Sequence, residues 1–590
     1  MAIDRSAVPE ELTWNLNSLF ASDEEYRAEY AVVEEKLAAI AAYSKKINAE
    51  NLLDVLKLRS ELFRRAENIY VYANLKKDVD TANAKSQSEA ERAAMLIAKC
   101  SSAASFIEPE MRNKFSVKDV RKFQQSEEFK DFTTVLEDFI RSLGHMLATG
   151  QEKVMAEIGA YSGDFRSVFM LLDNADLKFE PVKVGGKKIE LNHGTYMNFL
   201  QDRRQDVRER AFKNYYAAYT AHLNTITGLY SASVKRDVVH SRLRQYESAL
   251  DAALYREQIP AKVFDNLMAS VRSALPFLHA YMRFRRKYLK LDYMHMYDLH
   301  FPITDDYNLE LEFDEAYALV EKALAPLGKQ YIETFENAKK DRWIDVVANA
   351  NKRSGAYSWG TYDSNPYVLL NYTKTAHDVF TIAHEMGHAM HSWYSQHAQC
   401  FEKADYPIFL AEIASTVNEV LLLKYLISNS EGEKKRYLLN YYLDMYRTTF
   451  FRQAMFTEFE VFAHSKVERG EGLDSATLSE KYAQLNEEYY GRDVVNDPEI
   501  AIEWARIPHF YNAFYVYKYS TGLTVAVNIA KKLLSGEEGF AEKYIRFLSS
   551  GGSKPPIELL DELGIELTKK VPFSVFMDEF KETLDAIKGL

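Results

Sequence analysis

The chain has 590 residues, of which 47% are hydrophobic and 27% are charged, a composition typical of soluble globular proteins. Its formal net charge is −12, and no basic run offsets it, which argues against a nucleic-acid-binding protein. No uncharged apolar stretch approaches the roughly 20 residues of a membrane span, and the acidic N-terminus lacks the apolar run of a signal peptide. We therefore expect neither nucleic acid nor a membrane as a partner.

The chain contains two cysteines, Cys100 and Cys400, in unrelated contexts. Neither cysteine has the spacing of a zinc site, and two cysteines do not make a disulfide framework. A reducing compartment is the default for such a chain, so we expect a cytoplasmic protein.

The N-terminal part of the chain is predicted to be a helical lobe. Helical patterns follow one another as far as about residue 175, and residues 22–25 match a capping box. Apolar and polar residues then alternate about Gly185 and Gly186, which predicts a β-hairpin with a two-residue turn. This hairpin is a plausible boundary, so we divide the chain into an N-terminal lobe, 1–185, and a second domain, 186–590.

A second β region is predicted at residues 356–372. Tyr367–Tyr372 has the composition of a strand and follows a turn at residues 363–366. An exposed strand edge at this place could pair with an extended peptide through main-chain hydrogen bonds. The alternative is a buried hairpin with a purely structural role.

Residues 384–388 form an H-E-x-x-H pattern inside a helical stretch whose predicted N-cap is Asp378. Residues four apart lie on one side of a helix, so His384 and His388 present two imidazoles to one point, as zinc ligands do. Glu385 lies one residue further around the helix, where its carboxylate can reach a metal-bound water as general base. The alternative is a chance match, because a short pattern with two free positions also occurs in proteins that bind no metal.

A catalytic zinc ion needs a third protein ligand. The metzincin pattern is excluded, because it requires a glycine and a histidine where this chain has His391 and Tyr394. His391 lies about 10 Å along the helix from His384, too far to share one ion with it, so we expect His391 to pack or to lie outside the ligand set. Glu412 and Glu419 lie seven residues apart among apolar residues of a helix opened by a proline. We predict Glu412 as the third ligand and Glu419 as a carboxylate that orients a ligand histidine, against the alternative of two exposed glutamates.

Residues 505–520 form an aromatic segment. A helix beginning near Pro508 would align Tyr511, Tyr515 and Tyr519 on one face, with His509 at its start. Phenol and imidazole donors of this kind can stabilise an oxyanion, whereas packing in the core is the alternative role for such rings.

Five segments of the sequence have a characteristic composition: 355–360, 367–372, 378–388, 409–416 and 507–515. In these segments the chain resembles the oligoendopeptidase F family of thimet-oligopeptidase-like zinc metallopeptidases. The resemblance spans most of the chain from about residue 190 onward and extends more loosely to the helical N-terminal part. It implies a mainly α fold, a two-lobed helical zincin enclosing a deep cleft, with a small β-sheet beside the zinc helix.

The resemblance also implies the chemistry. Residues that match His384, His388 and Glu412 bind one Zn²⁺ in the family, and the match to Glu385 is the catalytic base. A histidine and tyrosines of the segment matching 507–515 face the zinc, which indicates His509 and Tyr511. Tyr515 is a further candidate, and the resemblance does not decide between it and Tyr517 or Tyr519.

The expected function is therefore hydrolysis of short unstructured oligopeptides by a zinc endopeptidase. A helical zinc carboxypeptidase with the same motif is the nearer alternative, and a non-catalytic peptide-binding scaffold is the farther one. The sequence predicts neither the cleavage preference nor the oligomeric state.

Overall fold

The computed structural model describes residues 3–304 and 309–590, and most of them are helical. The α-helices are α1 (Asp23–Ala41), α2 (Leu52–Asp78), α3 (Ala84–Ala104), α4 (Ile107–Lys114), α5 (Val117–Gln124), α6 (Thr133–Ser142), α7 (Thr149–Ser162), α8 (Asp164–Leu171), α9 (His193–Leu200), α10 (Gln205–Ala221), α11 (Leu223–Leu243), α12 (Ala249–Arg256), α13 (Ala261–Tyr288), α14 (Phe313–Ala323), α15 (Lys329–Lys340), α16 (Ala376–Ala398), α17 (Phe401–Ala404), α18 (Ile408–Ser428), α19 (Gly432–Met445), α20 (Arg452–Glu468), α21 (Ser475–Tyr490), α22 (Tyr517–Leu534), α23 (Phe540–Leu548), α24 (Pro556–Glu562) and α25 (Val571–Lys588). None of these helices combines the length and the apolar character that crossing a membrane requires.

The β-strands of the described residues are short and form small sheets. They are β1 (Val182–Val184), β2 (Lys187–Ile189), β3 (Met294–His295), β4 (Ile344–Val347), β5 (Tyr357–Trp359), β6 (Tyr367–Tyr372) and β7 (Val494–Val495). Strands β1 and β2 form the predicted antiparallel hairpin, and Gly185 and Gly186 in its turn have φ values of 57° and 82°. The mainly α fold expected from the sequence is confirmed.

The chain divides into two compact units. Unit 1 comprises Met1–Gly144, Asn308–Tyr425 and Ala526–Ile565, and unit 2 comprises His145–Tyr307, Leu426–Val525 and Glu566–Leu590. The boundary predicted between residues 185 and 186 falls inside the sequence range of unit 2, and the lobes 1–185 and 186–590 stay a prediction.

A three-stranded sheet in unit 1 has the order β4-β6-β5, with β4 parallel and β5 antiparallel to β6. All residues of β6 are buried except Asn371, as expected for a middle strand covered on both faces. The strand predicted at Tyr367–Tyr372 is confirmed with these bounds. Helix α16 packs against β5 and β6, which confirms the small sheet beside the helix with the H-E-x-x-H pattern.

Helix α16 begins where a capping box fixes the chain after β6. The Thr375 side chain accepts a hydrogen bond from the Asp378 N–H, and the Asp378 carboxylate accepts one from the Thr375 N–H. Asp378 also accepts from the Thr373 N–H, which ties the end of the strand to the start of the helix. The prediction of Asp378 as N-cap is therefore wrong: Thr375 caps the helix, and Asp378 is its reciprocal partner three residues on.

Helices α16 and α18 approach each other closely at Gly387. A Cβ atom at this position would lie 2.5 Å from Ser415 Cα and 2.7 Å from the Ala414 carbonyl oxygen, so only glycine fits. Nearby, the buried Asn418 side chain donates to the Ala383 carbonyl oxygen over 3.1 Å and joins the two helices again. The two backbones are thereby held in direct contact.

We expect Gly387→Ala to destabilise the protein by about 1–3 kcal/mol, because the added methyl group must push the two backbones apart. Gly228→Ala is the matched control: Gly228 is an exposed helical glycine of α11 with no atom within 4 Å of the added Cβ. That change should stabilise the helix by about 0.5–1 kcal/mol. Urea unfolding followed by circular dichroism measures both, and equal midpoints for the two variants would contradict the close approach.

Candidate metal centre

Helices α16 and α18 bring three predicted ligands together. The His384 Nε2 and His388 Nε2 atoms are 3.2 Å apart, and Glu412 Oε2 lies 3.6 Å from the first and 3.7 Å from the second. Tetrahedral zinc with bonds of about 2.0–2.1 Å places its ligand atoms roughly 3.3–3.4 Å apart. The triangle of two nitrogens and one carboxylate oxygen therefore matches the size of one such ion, and it is a group of residues suited to holding a metal.

Both histidines are oriented by partners on α18. The His384 Nδ1–H donates to Glu419 Oε1 over 2.5 Å, so Nε2 is left for a metal, and His388 hydrogen-bonds the backbone of Ala411. Glu419 thus has the position expected of a carboxylate that orients a ligand histidine. Burial, followed by the neighbouring His384, lowers the pKa of His388 to about 3, which keeps its imidazole in the neutral form that binds metal.

Glu385 lies beside the triangle and does not belong to it. Its side chain is 8% exposed, and its carboxylate accepts a hydrogen bond from the backbone N–H of Ser358 in β5. Burial raises the pKa of Glu385 to about 7 against the opposing effect of His384. A carboxyl group with such a pKa can take up and release a proton near neutral pH, as a general base must.

His391 is on the same helix but has another environment. Its ring stacks on Tyr406 with centroids 3.7 Å apart and planes 6° apart, and it is 1% exposed. Burial lowers its pKa to about 3. It packs between helices and takes no part in the ligand triangle, in line with the analysis of the sequence.

The segment that contains His509 differs from the predicted continuous helix, and that prediction is wrong. Pro508–Tyr511 forms a single 3₁₀ turn, and α22 begins only at Tyr517. Between them Phe514 has a φ of 57°, in the left-handed region that a right-handed helix cannot include. Tyr511 and Tyr515 are therefore not one helical turn apart.

This break decides which tyrosines lie near His509 within unit 2. The ring centroid of His509 is 6.2 Å from that of Tyr515 and 6.1 Å from that of Tyr519, and the two tyrosine rings are 5.5 Å apart. His509 is exposed and both tyrosines are half-buried. The structure thus brings His509, Tyr515 and Tyr519 together.

Tyr511 and Tyr517 have buried rings in other surroundings. The Tyr511 ring stacks on Phe169 with centroids 4.8 Å apart, and its hydroxyl is buried with no hydrogen-bond partner among the described residues. The Tyr517 ring packs edge-on against Phe264 at 5.6 Å. Neither ring is grouped with His509.

Two contributors to the site escaped the sequence analysis. Ser358 acts through its backbone N–H, which any residue other than proline could supply, so its side chain gave no signal. Asn418 did give a signal in the sequence. It is a polar residue inside the apolar run of α18, and such a residue needs a buried hydrogen-bond partner.

Comparisons with known proteins identify the family of this chain. Residues 198–578 match the model of Peptidase family M3, and residues 113–179 match the model described as Oligopeptidase F. Oligopeptidase PepF of Bacillus subtilis is 37% identical over 591 residues, which cover 100% of this chain and 88% of that protein. An oligoendopeptidase F homolog of Lactococcus lactis is 36% identical and covers 100% of this chain and 99% of its own length.

A solved structure has a similar fold. The crystal structure of oligoendopeptidase-F from Enterococcus faecium superposes with a TM-score of 0.75 at 32% identity, covering 96% of this chain and 99% of that one. The family match spans well over half of the chain, and the relatives cover its full length. The chain therefore belongs to peptidase family M3, and it is a metallopeptidase.

Proposed function

We propose that this protein is a zinc endopeptidase that hydrolyses short, unstructured oligopeptides. The observation that carries the proposal is the triangle of His384 Nε2, His388 Nε2 and Glu412 Oε2, with the Glu385 carboxylate beside it. Two imidazoles and one carboxylate are the ligand set of catalytic zinc sites, which keep a fourth position open. One zinc ion per chain would complete the centre.

Zinc bound by these three side chains would act as a Lewis acid on the scissile carbonyl and on the attacking water. Glu385 accepts the proton that the water loses as its oxygen bonds to the carbonyl carbon. As the C–N bond breaks, Glu385 returns that proton to the leaving amine nitrogen. Its buried position beside the ligand triangle suits both transfers, since burial raises the pKa of this carboxyl group above its usual value.

Strand β5 supports the binding of extended peptides. It is an outer strand of its sheet, and the hydrogen bond from its Ser358 N–H to the Glu385 carboxylate places this edge beside the proposed general base. A peptide aligned along such an edge is held by main-chain hydrogen bonds, which do not depend on its side chains. Broad acceptance of short peptides is the expected result.

We propose His509 with a tyrosine as donors to the oxyanion. Tyr515 is the stronger candidate, because its ring and that of Tyr519 are grouped with His509 and are half-buried. Tyr511 is the weaker candidate, because its hydroxyl is enclosed beside Phe169. This assignment rests on the chemistry of these side chains and on their grouping within unit 2.

We also propose a cytoplasmic location with no nucleic-acid or membrane partner. Cys100 and Cys400 are both free thiols, as expected in a reducing compartment. The acidic composition supports the absence of nucleic acid.

Glu385→Gln should reduce peptide cleavage by about 10²- to 10⁴-fold, because the amide keeps the shape of the side chain but cannot accept the proton. Zinc content measured by mass spectrometry should remain one ion per chain. The substrate is a peptide blocked at both ends, whose cleavage by the parent protein also distinguishes an endopeptidase from the carboxypeptidase alternative. Cleavage by Glu385→Gln at the parental rate would contradict the mechanism.

Glu412→Ala should release zinc, because the triangle loses one of its three ligands. His391→Phe is the matched control, since it removes both ring nitrogens of a neighbouring histidine but keeps an aromatic ring against Tyr406. The zinc affinity of Glu419→Gln should lie between those of the other two variants, about 10- to 100-fold weaker than that of the parent protein. Zinc titration against a chelator measures all three variants, and loss of zinc in His391→Phe alone would show that the third ligand is misassigned.

Tyr515→Phe should lower kcat by about 10²-fold with little change in KM or zinc content, because an oxyanion donor acts only once charge has developed. Tyr511→Phe is the comparison, and we expect it to leave kcat close to the parental value. Steady-state kinetics on one blocked peptide gives both results. A large loss in Tyr511→Phe with none in Tyr515→Phe would reverse the assignment.

A further inference from the structure

The chain turns sharply between the 3₁₀ turn that carries His509 and the start of α22. We call residues 512–516 the Phe514 turn. At its centre Phe514 has a φ of 57°, a conformation that is unfavourable for any residue with a Cβ atom and persists only where the surroundings enforce it. Tyr515 follows directly in the chain, so the direction of this turn sets the direction of the Tyr515 side chain.

Glu460 of α20 binds the backbone at the centre of this turn. Its side chain is 0% exposed, and its Oε1 atom accepts a hydrogen bond of 3.0 Å from the Phe514 N–H. One helical turn further along α20, the ring of His464 packs against the Phe514 ring with centroids 4.6 Å apart. Both the backbone and the side chain of Phe514 are therefore fixed to α20.

A buried glutamate is an unfavourable choice for a purely structural position. The second carboxyl oxygen of Glu460 has no hydrogen-bond partner among the described residues, and burial raises the pKa of the group to about 8. Of the charged groups nearby, Asp237 of α11 raises this pKa and Lys518 of α22 lowers it. An apolar residue would fill the same space without the free-energy cost of removing a carboxyl group from water. It could not, however, accept a hydrogen bond from the Phe514 N–H. In either protonation state the carboxyl group keeps an oxygen for that bond.

We propose that Glu460 is a positioning residue for peptide hydrolysis: by accepting the Phe514 N–H, it holds the turn that places Tyr515 beside His509. This inference rests on the proposed role of Tyr515 as an oxyanion donor. Glu460 does not touch the reacting atoms. Its effect on catalysis passes through Phe514 and Tyr515, and it should therefore appear in kcat and disappear when the Tyr515 hydroxyl is absent.

The first test compares three single variants on α20. Glu460→Met removes the acceptor at similar volume and should lower kcat by about tenfold or more, because a misplaced donor no longer meets the transition state. Glu460→Gln keeps a carbonyl oxygen for the Phe514 N–H and should stay within about threefold of the parental kcat, since the hydrogen bond survives. Glu458→Met is the matched control, because it removes a partly buried glutamate of the same helix that pairs with Arg272 and does not touch the turn. KM and zinc content should not change in any of them.

The second test is a double-mutant cycle with Tyr515→Phe. If Glu460 acts through the Tyr515 hydroxyl, Glu460→Met should lower kcat by less than about twofold in the Tyr515→Phe protein, because coupled residues are not additive. A merely structural role would instead lower kcat by the same factor in both backgrounds. Should Glu460→Met fail to fold, Glu460→Asp takes its place, since it withdraws the carboxylate by one methylene and keeps the charge.

The outcomes separate this inference from the proposed function. A parental kcat in Glu460→Met, together with a lowered kcat in Tyr515→Phe, overturns the role of Glu460 alone. Equal losses in both backgrounds overturn it as well. A parental kcat in Tyr515→Phe overturns both the proposed oxyanion donor and the inference that rests on it.

Discussion

The contact between the backbones of α16 and α18 at Gly387 is the constraint on which the metal centre depends. Two of the ligand atoms lie on one helix and the third on the other, and Glu419, which orients His384, lies on the second helix too. Their distances are those of a single small ion only while the helix axes stay as close as a missing Cβ allows. The Asn418 side chain maintains the same spacing with a buried hydrogen bond. The chemistry of the site is thus a consequence of helix packing.

The parts of the site that could be predicted from the sequence are those that lie on one element. Helix geometry alone places His384 and His388 on one side of α16, and period-2 patterning identifies the hairpin around Gly185. Glu412 is different, because it lies on another helix. The sequence showed an apolar helix containing a carboxylate in need of a partner, from which Glu412 was predicted as the third ligand, and the family resemblance implied the same role.

Two of the failures have a common physical cause, which is tertiary contact between distant parts of the chain. The helix expected from Pro508 is interrupted at Phe514, whose N–H donates to the side chain of Glu460, 54 residues earlier in the chain. Strand β4 was not predicted because it is four residues long and includes Asp345, which is fully buried and pairs with Arg5 over 2.8 Å and Lys352 over 2.7 Å. An acidic residue argues against a buried strand until its two cationic partners are known. The start of α16 was a local error, since Thr375 and Asp378 are both good N-caps and only the reciprocal bond distinguishes them.

The length of β5 has a consequence for how the protein behaves at high concentration. An unpaired strand edge is a template for other strands, and long flat edges lead copies of a protein to aggregate. Strand β5 has three residues, Tyr357–Trp359, and on its free side the Ser358 N–H is already occupied by Glu385. Such an edge is too short, and has too few unoccupied hydrogen-bonding groups, to join two sheets. The shortness of this strand thus limits edge-to-edge pairing between copies of the protein at high concentration.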